Sequence, residues 1–256
     1  MSTLDQPTPS GSTRPGAWRE ALTRVLLVCG IAYALLYVVG NDVLAAGRSP
    51  GYDWRSQAVS ELSAVESPAR GLELALLPVL ATLIIAFGSG VWRSGRGRRP
   101  LHVAGALLVA FGLTGVLWVP LPMTARADMI VGGGMPANDI GHIVLTAVTV
   151  LLIVGMIASA AVSFSIGFRV YSAASALAVL VFGALTGTRA PKLSLGEPTP
   201  WMGLYERISI GAWLLWMVVL AVVLLSGAGA ARGRRGDGVT AFEDEGVDGR
   251  RDVRDR

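Results

Sequence analysis

The sequence predicts an all-α integral membrane protein in which six transmembrane helices form a bundle. Apolar residues make up 52% of the 256 residues and charged residues only 16%, whereas soluble domains carry about 25% charged residues. Six apolar runs approach the ~20 residues that a helix needs to cross ~30 Å of hydrocarbon. A helix also satisfies its own backbone hydrogen bonds, which lipid cannot do.

The six apolar runs are separated by short polar segments. They cover residues 25–46, 72–92, 101–121, 140–161, 170–186 and 208–225. We therefore expect a transmembrane domain over residues 22–228. The flanking residues 1–21 and 229–256 are polar and lack hydrophobic periodicity, so we expect disordered cytoplasmic tails.

The basic residues predict the orientation of the bundle. Eleven lie near the end of the bundle that carries both termini: Arg14, Arg19, Arg24, Arg93, Arg96, Arg98, Arg99, Arg169, Arg232, Arg234 and Arg235. The opposite side has seven: Arg48, Arg55, Arg70, Arg126, Arg189, Lys192 and Arg207. The positive-inside rule then places both termini in the cytoplasm and the loops 47–69, 122–139 and 188–206 outside.

This distribution also explains the basic isoelectric point of about 9.7 without a nucleic-acid partner. We expect a multi-pass protein of the plasma (inner) membrane that contacts membrane lipids and no nucleic acid; its protein partners are unknown. Arginine supplies all but one of the 22 basic residues, which fits a GC-rich bacterial genome. The single cysteine and two histidines provide no metal cluster, and we expect no metal and no cofactor.

The segment GYDWRSQAVSEL, residues 51–62, is the longest chemically rich polar stretch between two spans. Asp53 is suited to cap a short amphipathic helix over residues 54–63, which would lie on the bilayer surface. Its spacing would place three polar side chains on one face: Gln57, Ser60 and Glu61. That face could line the mouth of the bundle, or the segment could be a surface element whose polar residues contact water.

Asp139 and His142 lie three residues apart where the fourth span begins. A carboxylate beside an imidazole can fix its tautomer, so His142 is a candidate general base or proton carrier with Asp139 as its orienting partner. In the alternative interpretation, Asp139 caps the helix and His142 bonds a neighbouring loop.

Glu206 and Arg207 begin the sixth span. Glu206 is favoured by the positive end of the helix dipole, and Arg207 could extend to the headgroups or bind a phosphate or carboxylate through two hydrogen bonds. Asp42, near the outer end of the first span, needs a cationic partner if it lies inside the membrane. Arg207 is one candidate.

Residues 52–62, read with His142 and the stretch GLYERI from Gly203, resemble the membrane family called domain of unknown function 998. The resemblance covers roughly residues 25–226. It implies a six-helix membrane fold but no established activity. The polar positions that we take from it as a candidate ligand site are Tyr52, Asp53, Gln57, Glu61, Glu206 and Arg207.

Two classes of function remain at this point. In a membrane-embedded hydrolase or transferase acting on a lipid, His142 would be the base, Asp139 its orienting residue, Ser60 a nucleophile and Arg207 an oxyanion or headgroup clamp. In a non-catalytic lipid-interacting, sensing or assembly protein, the polar cluster would be a latch that pairs Glu61 or Glu206 with Arg55 or Arg207. We favour the second class, because the sequence contains no complete catalytic set. A shared site would require His142, Glu61 and Arg207 to converge.

Overall fold

The computed structural model describes the backbone of residues 16–129, 131 and 134–248, and side chains as far as Gly227. Its regular structure is entirely helical, and six helices are long and apolar enough to cross a membrane. This confirms the predicted fold class. We label the six long helices α1 to α6: Ala17–Val38, Arg70–Ser94, Arg99–Thr114, Ala137–Ala161, Ile166–Gly187 and Met202–Asp248.

Some helix ends differ from the predicted boundaries. The first span begins at Ala17 and continues beyond α1 through a π-helical segment, Val39–Ala45, and one further turn, Ala46–Arg48. The apolar part of α6 ends at Gly227, but its backbone stays helical to Asp248, where we expected an irregular tail. No proline interrupts this helix. Residues 1–15 and 249–256, also predicted to be disordered, lie outside the described residues.

The helices form a ring in sequence order. Each long helix packs against the next one along the chain, and α6 packs against α1 to close the ring. Short connections make consecutive helices antiparallel neighbours. Lipid provides no hydrophobic driving force for helix association, so the association depends on close packing of the helices. At the closest approach of α2 and α3, a Cβ added to Gly105 would lie 2.7 Å from the carbonyl oxygen of Gly88.

The core towards the end of the ring where α1 begins is filled by large apolar side chains. Leu27, Phe87, Leu108, Met156 and Trp216 are all at least 98% buried. The Trp216 indole N–H donates to the Ser172 hydroxyl at 3.0 Å, which joins α6 to α5. Such a buried hydrogen bond contributes about 1 kcal/mol net.

Three segments lie together at one end of the ring, and we call them the cap: residues 49–69, the described part of 119–136 (119–129, 131 and 134–136), and residues 188–201. The Val65 N–H donates to the carbonyl of Met123 at 3.2 Å, which joins two of these segments. A small apolar cluster joins all three to α6: Ala58, Ala64, Met123, Leu193 and Met202. The start of α1 and the end of the apolar part of α6 lie at the opposite end, since an even number of antiparallel helices returns the chain to its starting side.

The cap contains the expected short helix, but in a different form. It is a 3₁₀ helix over Val59–Ser63, and the residues before it form a turn. The Tyr52 hydroxyl donates to the carbonyls of Gln57 and Ala58, at 3.2 and 2.9 Å. The Ala58 carbonyl also accepts from the Glu61 N–H at 3.2 Å, which is the first i to i+3 bond of the 3₁₀ helix. Tyr52 therefore holds the residues that lead into the 3₁₀ helix.

Candidate functional site

Asp53 stabilises the turn at residues 53–57 and does not cap a helix as expected. Its carboxylate accepts from the Ser56 hydroxyl at 2.6 Å and from the Arg55 N–H at 3.1 Å. The Ser56 hydrogen bond is the main cause that lowers the pKa of the Asp53 carboxyl. The Gln57 side-chain oxygen in turn accepts from the Asp53 N–H at 2.6 Å. Asp53 and Gln57 thus shape the loop.

Glu61 is the centre of an ion pair with Arg126, a residue that the sequence did not single out. The Arg126 guanidinium donates to both carboxylate oxygens, at 2.5 and 2.8 Å. It also donates to the Ser56 carbonyl and the Thr199 hydroxyl, both at 2.8 Å. The Glu61 side chain is only 6% exposed, and the paired geometry compensates its desolvation. This pair ties together all three segments of the cap.

Arg207 forms a second network where α6 begins. Its guanidinium donates to the Asp42 carboxylate at 2.7 Å, the Trp54 carbonyl at 2.9 Å and the Tyr52 hydroxyl at 3.0 Å. Burial raises the pKa of Tyr52 to about 12, against the opposing effect of Arg207, so the hydroxyl remains a donor to the cap backbone. Asp42 has the predicted partner, and the network joins the first span, the cap and α6.

Glu206, in the first turn of α6, also bonds the cap. Its carboxylate accepts from the Val59 N–H at the start of the 3₁₀ helix. Next to it, Gly203 lies against the cap backbone. A Cβ at Gly203 would lie 2.5 Å from the Trp54 carbonyl oxygen and would collide with the Gln57 carbonyl. We call the contacts of Gly203, Glu206 and Arg207 with residues 52–59 the latch. It differs from the predicted latch, because Glu61 pairs with Arg126 and Arg207 with Asp42, and neither Glu61 nor Glu206 pairs with Arg55 or Arg207.

A cavity of about 650 Å³ lies inside the ring beneath the cap. Each long helix contributes an apolar wall residue: Tyr33, Ile84, Phe111, Ile153, Val179 and Trp213. Polar groups line it near the cap: Asn41, Ser60, Arg70, Glu73, His142 and Glu206. The 3₁₀ helix contributes Val59 and Ser60 and so covers this end. The arrangement is an apolar chamber with a polar end.

His142 and Asp139 do not bond each other; His142 bonds a neighbouring loop, as in the alternative interpretation of this pair. The His142 Nδ1 lies 2.9 Å from the Leu121 carbonyl oxygen, and its ring contacts Trp118 edge to face. Because a carbonyl only accepts, Nδ1 carries the proton and Nε2 is left as the acceptor of the neutral ring. Asp139 instead accepts from the Thr124 N–H at 2.8 Å. Both residues therefore bond the second segment of the cap.

Ser60 lines the same cavity as His142, but its hydroxyl donates to the Met123 sulfur at 3.0 Å. Gln57 and Glu61 face a separate surface cleft beside Arg126. Gln57, Ser60 and Glu61 thus do not share one face, because the 3₁₀ helix turns Ser60 away from the other two.

His142, Glu61 and Arg207 do not converge on one site either. His142 lines the inner cavity, Glu61 lines the cleft, and Arg207 lies in the latch.

Sequence reasoning missed Arg126 and Thr199. One observation could have indicated such a partner: Glu61 lies in the largely apolar stretch AVSEL, and a buried carboxylate requires a cation. Four arginines occur in the loops 47–69, 122–139 and 188–206, and their spacing does not select one. Thr199 lies in the proline-containing stretch GEPTP, whose position over Ser56 depends on how the third segment folds back.

A comparison with models of known protein families shows the family to which the chain belongs. A family model described as "Protein of unknown function (DUF998)" matches residues 30–223, about three quarters of the chain. The chain belongs to the DUF998 family. No curated protein and no solved structure matches it. The DUF998 match includes the motif at residues 52–62, the Arg126 ion pair, the latch and all helices that line the cavity.

Proposed function

We propose that this DUF998 protein binds a single membrane lipid in the cavity of the ring, with its acyl chains among the helices and its headgroup beneath the cap. The observation that carries the proposal is the division of the cavity into an apolar body and a polar end. Cavities that hold small molecules are typically about 300–1,000 Å³ and mostly apolar, with a few placed polar groups. This cavity has that size and that division.

The depth of the cavity supports an elongated ligand. Ile84 lies about four turns from the capped start of α2, which at 1.5 Å per residue is about 20 Å. Ile153 lies at a similar depth on α4. A chamber that reaches past the middle of a ~30 Å hydrocarbon layer suits an acyl chain better than a compact polar solute.

The hydrogen bonds favour a non-catalytic role over the hydrolase or transferase alternative. Within the described part of the chain, Ser60 donates to a sulfur and His142 bonds a backbone carbonyl, and the two do not bond each other. A nucleophile needs its base within hydrogen-bond reach. By the positive-inside rule, the capped end belongs on the outer face, so the lipid would come from the outer leaflet.

A substitution that fills the cavity tests the proposal. Gly183 lines the cavity, and a Cβ there would lie 3.6 Å from its nearest neighbour, so the helix tolerates a side chain. We expect Gly183→Leu to lower the amount of bound phospholipid at least threefold. The measurement is intact-mass spectrometry of protein purified in a mild detergent.

Gly211→Leu provides the matched control, because Gly211 is exposed on α6, does not line the cavity and has no neighbour within 4 Å. It should retain the wild-type amount of lipid. Equal lipid content in wild type and both variants, with unchanged thermal stability, would contradict the proposal.

A further inference from the structure

The cavity walls are not equally closed. The lining residues of α1, α3 and α6 are buried or half-buried. On α2, only Leu74, near the cap, is exposed beyond a third. On α4 and α5, seven lining residues are exposed to that degree: Ile143, Thr146, Ala147, Leu151, Leu180, Ala184 and Gly187. The cavity therefore opens sideways along the seam between α4 and α5.

The residues at this seam explain why it stays open. Ile143, Ala147 and Leu151 follow each other at four-residue spacing and form one stripe on α4. Leu180, Ala184 and Gly187 form the corresponding stripe on α5. The middle of each stripe is an alanine, and the α5 stripe ends in glycine near the cap. Small side chains leave the gap unfilled between two helices that are otherwise neighbours.

The seam lies within two membrane-spanning helices, and its stripes are apolar and uncharged. From residue 143 to residue 151 it extends about 12 Å along the helix axis. Molecules that reach a surface at this depth come from the hydrocarbon layer. The cap, by contrast, covers the aqueous end of the cavity and is held there by the latch and the Glu61–Arg126 pair.

We propose that the lipid enters and leaves the cavity laterally, from the bilayer, through the α4–α5 seam, while the cap stays in place. This inference rests on the proposed lipid binding. Its occupant is an acyl chain, because the opening joins the hydrocarbon layer to an apolar chamber and offers no charged group to a polar solute. The protein then exchanges lipid with the membrane without exposing the chain to water.

The test separates the route from the binding. In a Cys29→Ser background, Ala184→Cys places one thiol on the seam. A hydrophobic alkyl thiosulfonate attaches an alkyl chain there as a mixed disulfide, and a reducing agent removes it. The same folded protein is thus compared with the seam blocked and open. Ala174→Cys, on the exposed surface of α5 and not lining the cavity, is the control.

The measured quantity is the rate at which bound lipid is replaced by deuterated phosphatidylethanolamine or phosphatidylglycerol added in mixed micelles, followed by intact-mass spectrometry. We expect alkylation at residue 184 to slow replacement at least tenfold, reduction to restore the rate, and alkylation at residue 174 to change it less than twofold.

An unchanged rate at residue 184 with normal lipid content overturns the lateral route but leaves lipid binding intact. Loss of lipid content with an unchanged rate for the remainder would show that the alkyl chain fills the cavity without blocking the seam, and it would also overturn the route. A wild-type protein without bound lipid overturns both proposals.

Discussion

At the scale of single residues, the pair of Glu61 and Arg126 is the most consequential contact of the cap. The Glu61 side chain is only 6% exposed, whereas the Arg126 side chain is 29% exposed. Four acceptor atoms from the other two cap segments surround the Arg126 guanidinium. Removing one partner of a buried ion pair is strongly destabilising because the other charge stays buried.

We expect Arg126→Met to destabilise the cap by about 1–3 kcal/mol, less than the value for a fully buried pair because Arg126 is partly exposed. Arg55→Met is the control, since the Arg55 side chain stacks on Trp54 in the same loop and its backbone hydrogen bonds remain in the variant. The measurement is thermal unfolding in detergent. Adding Glu61→Gln to Arg126→Met should restore part of the loss, because it removes the unpaired charge. A further loss in the double variant would contradict a direct pair.

At the scale of elements, the latch depends on a backbone contact as much as on charge. The start of α6 approaches the turn at residues 53–57 so closely that Gly203 leaves no room for a side chain. The Leu204 N–H also donates to the Arg55 carbonyl at 3.2 Å. A polar loop is therefore held on a helix by main-chain groups, and side-chain charges complete the contact.

We expect Gly203→Ala to displace the cap, because both atoms that a Cβ would meet first belong to the backbone and cannot rotate away. Amide hydrogen exchange of residues 52–62 should increase at least tenfold, with little change in the core of α2 and α3. Gly211→Ala, in the same helix with open space around it, should leave exchange unchanged. Equal protection in both variants would show that the latch tolerates the extra methyl group.

The sequence predicted the elements well and their contacts less well. Each membrane span is encoded locally, since twenty apolar residues have few alternatives in lipid. Asp42 with Arg207 was predictable because both lie at the outer ends of apolar runs. The turn at residues 53–57 was not, because it depends on local hydrogen bonds of the Asp53 and Gln57 side chains, whereas the local pattern favours a helix. The separation of Asp139 from His142 was one of two alternatives that the sequence left open, because the choice depends on the path of the second cap segment.

At the scale of the whole molecule, the orientation in the membrane is a prediction that follows from the arginines. The four-arginine connection between α2 and α3 lies at the end opposite the cap, and the positive-inside rule assigns that end to the cytoplasm. The cap and its polar cleft would then face outward.

Cysteine labelling in intact cells of the expression host measures this orientation. In the Cys29→Ser background, Glu66→Cys in the cap should react with a membrane-impermeant maleimide. Gly167→Cys, exposed at the start of α5, should react only after the cells are lysed. The reverse pattern would place the cap in the cytoplasm and would require the lipid to come from the inner leaflet.

The closure of the ring by α6 against α1 has a consequence for biogenesis. Ribosomes deliver the helices in order, so the first span waits in the membrane until the last arrives. Until then Asp42 lacks Arg207, the cap lacks its Val59 contact with Glu206, and the chamber has a missing wall. Release of the last helix completes all three at once. A nascent chain stopped before residue 202 would therefore present the Asp42 carboxylate without Arg207 and a chamber that lacks one wall.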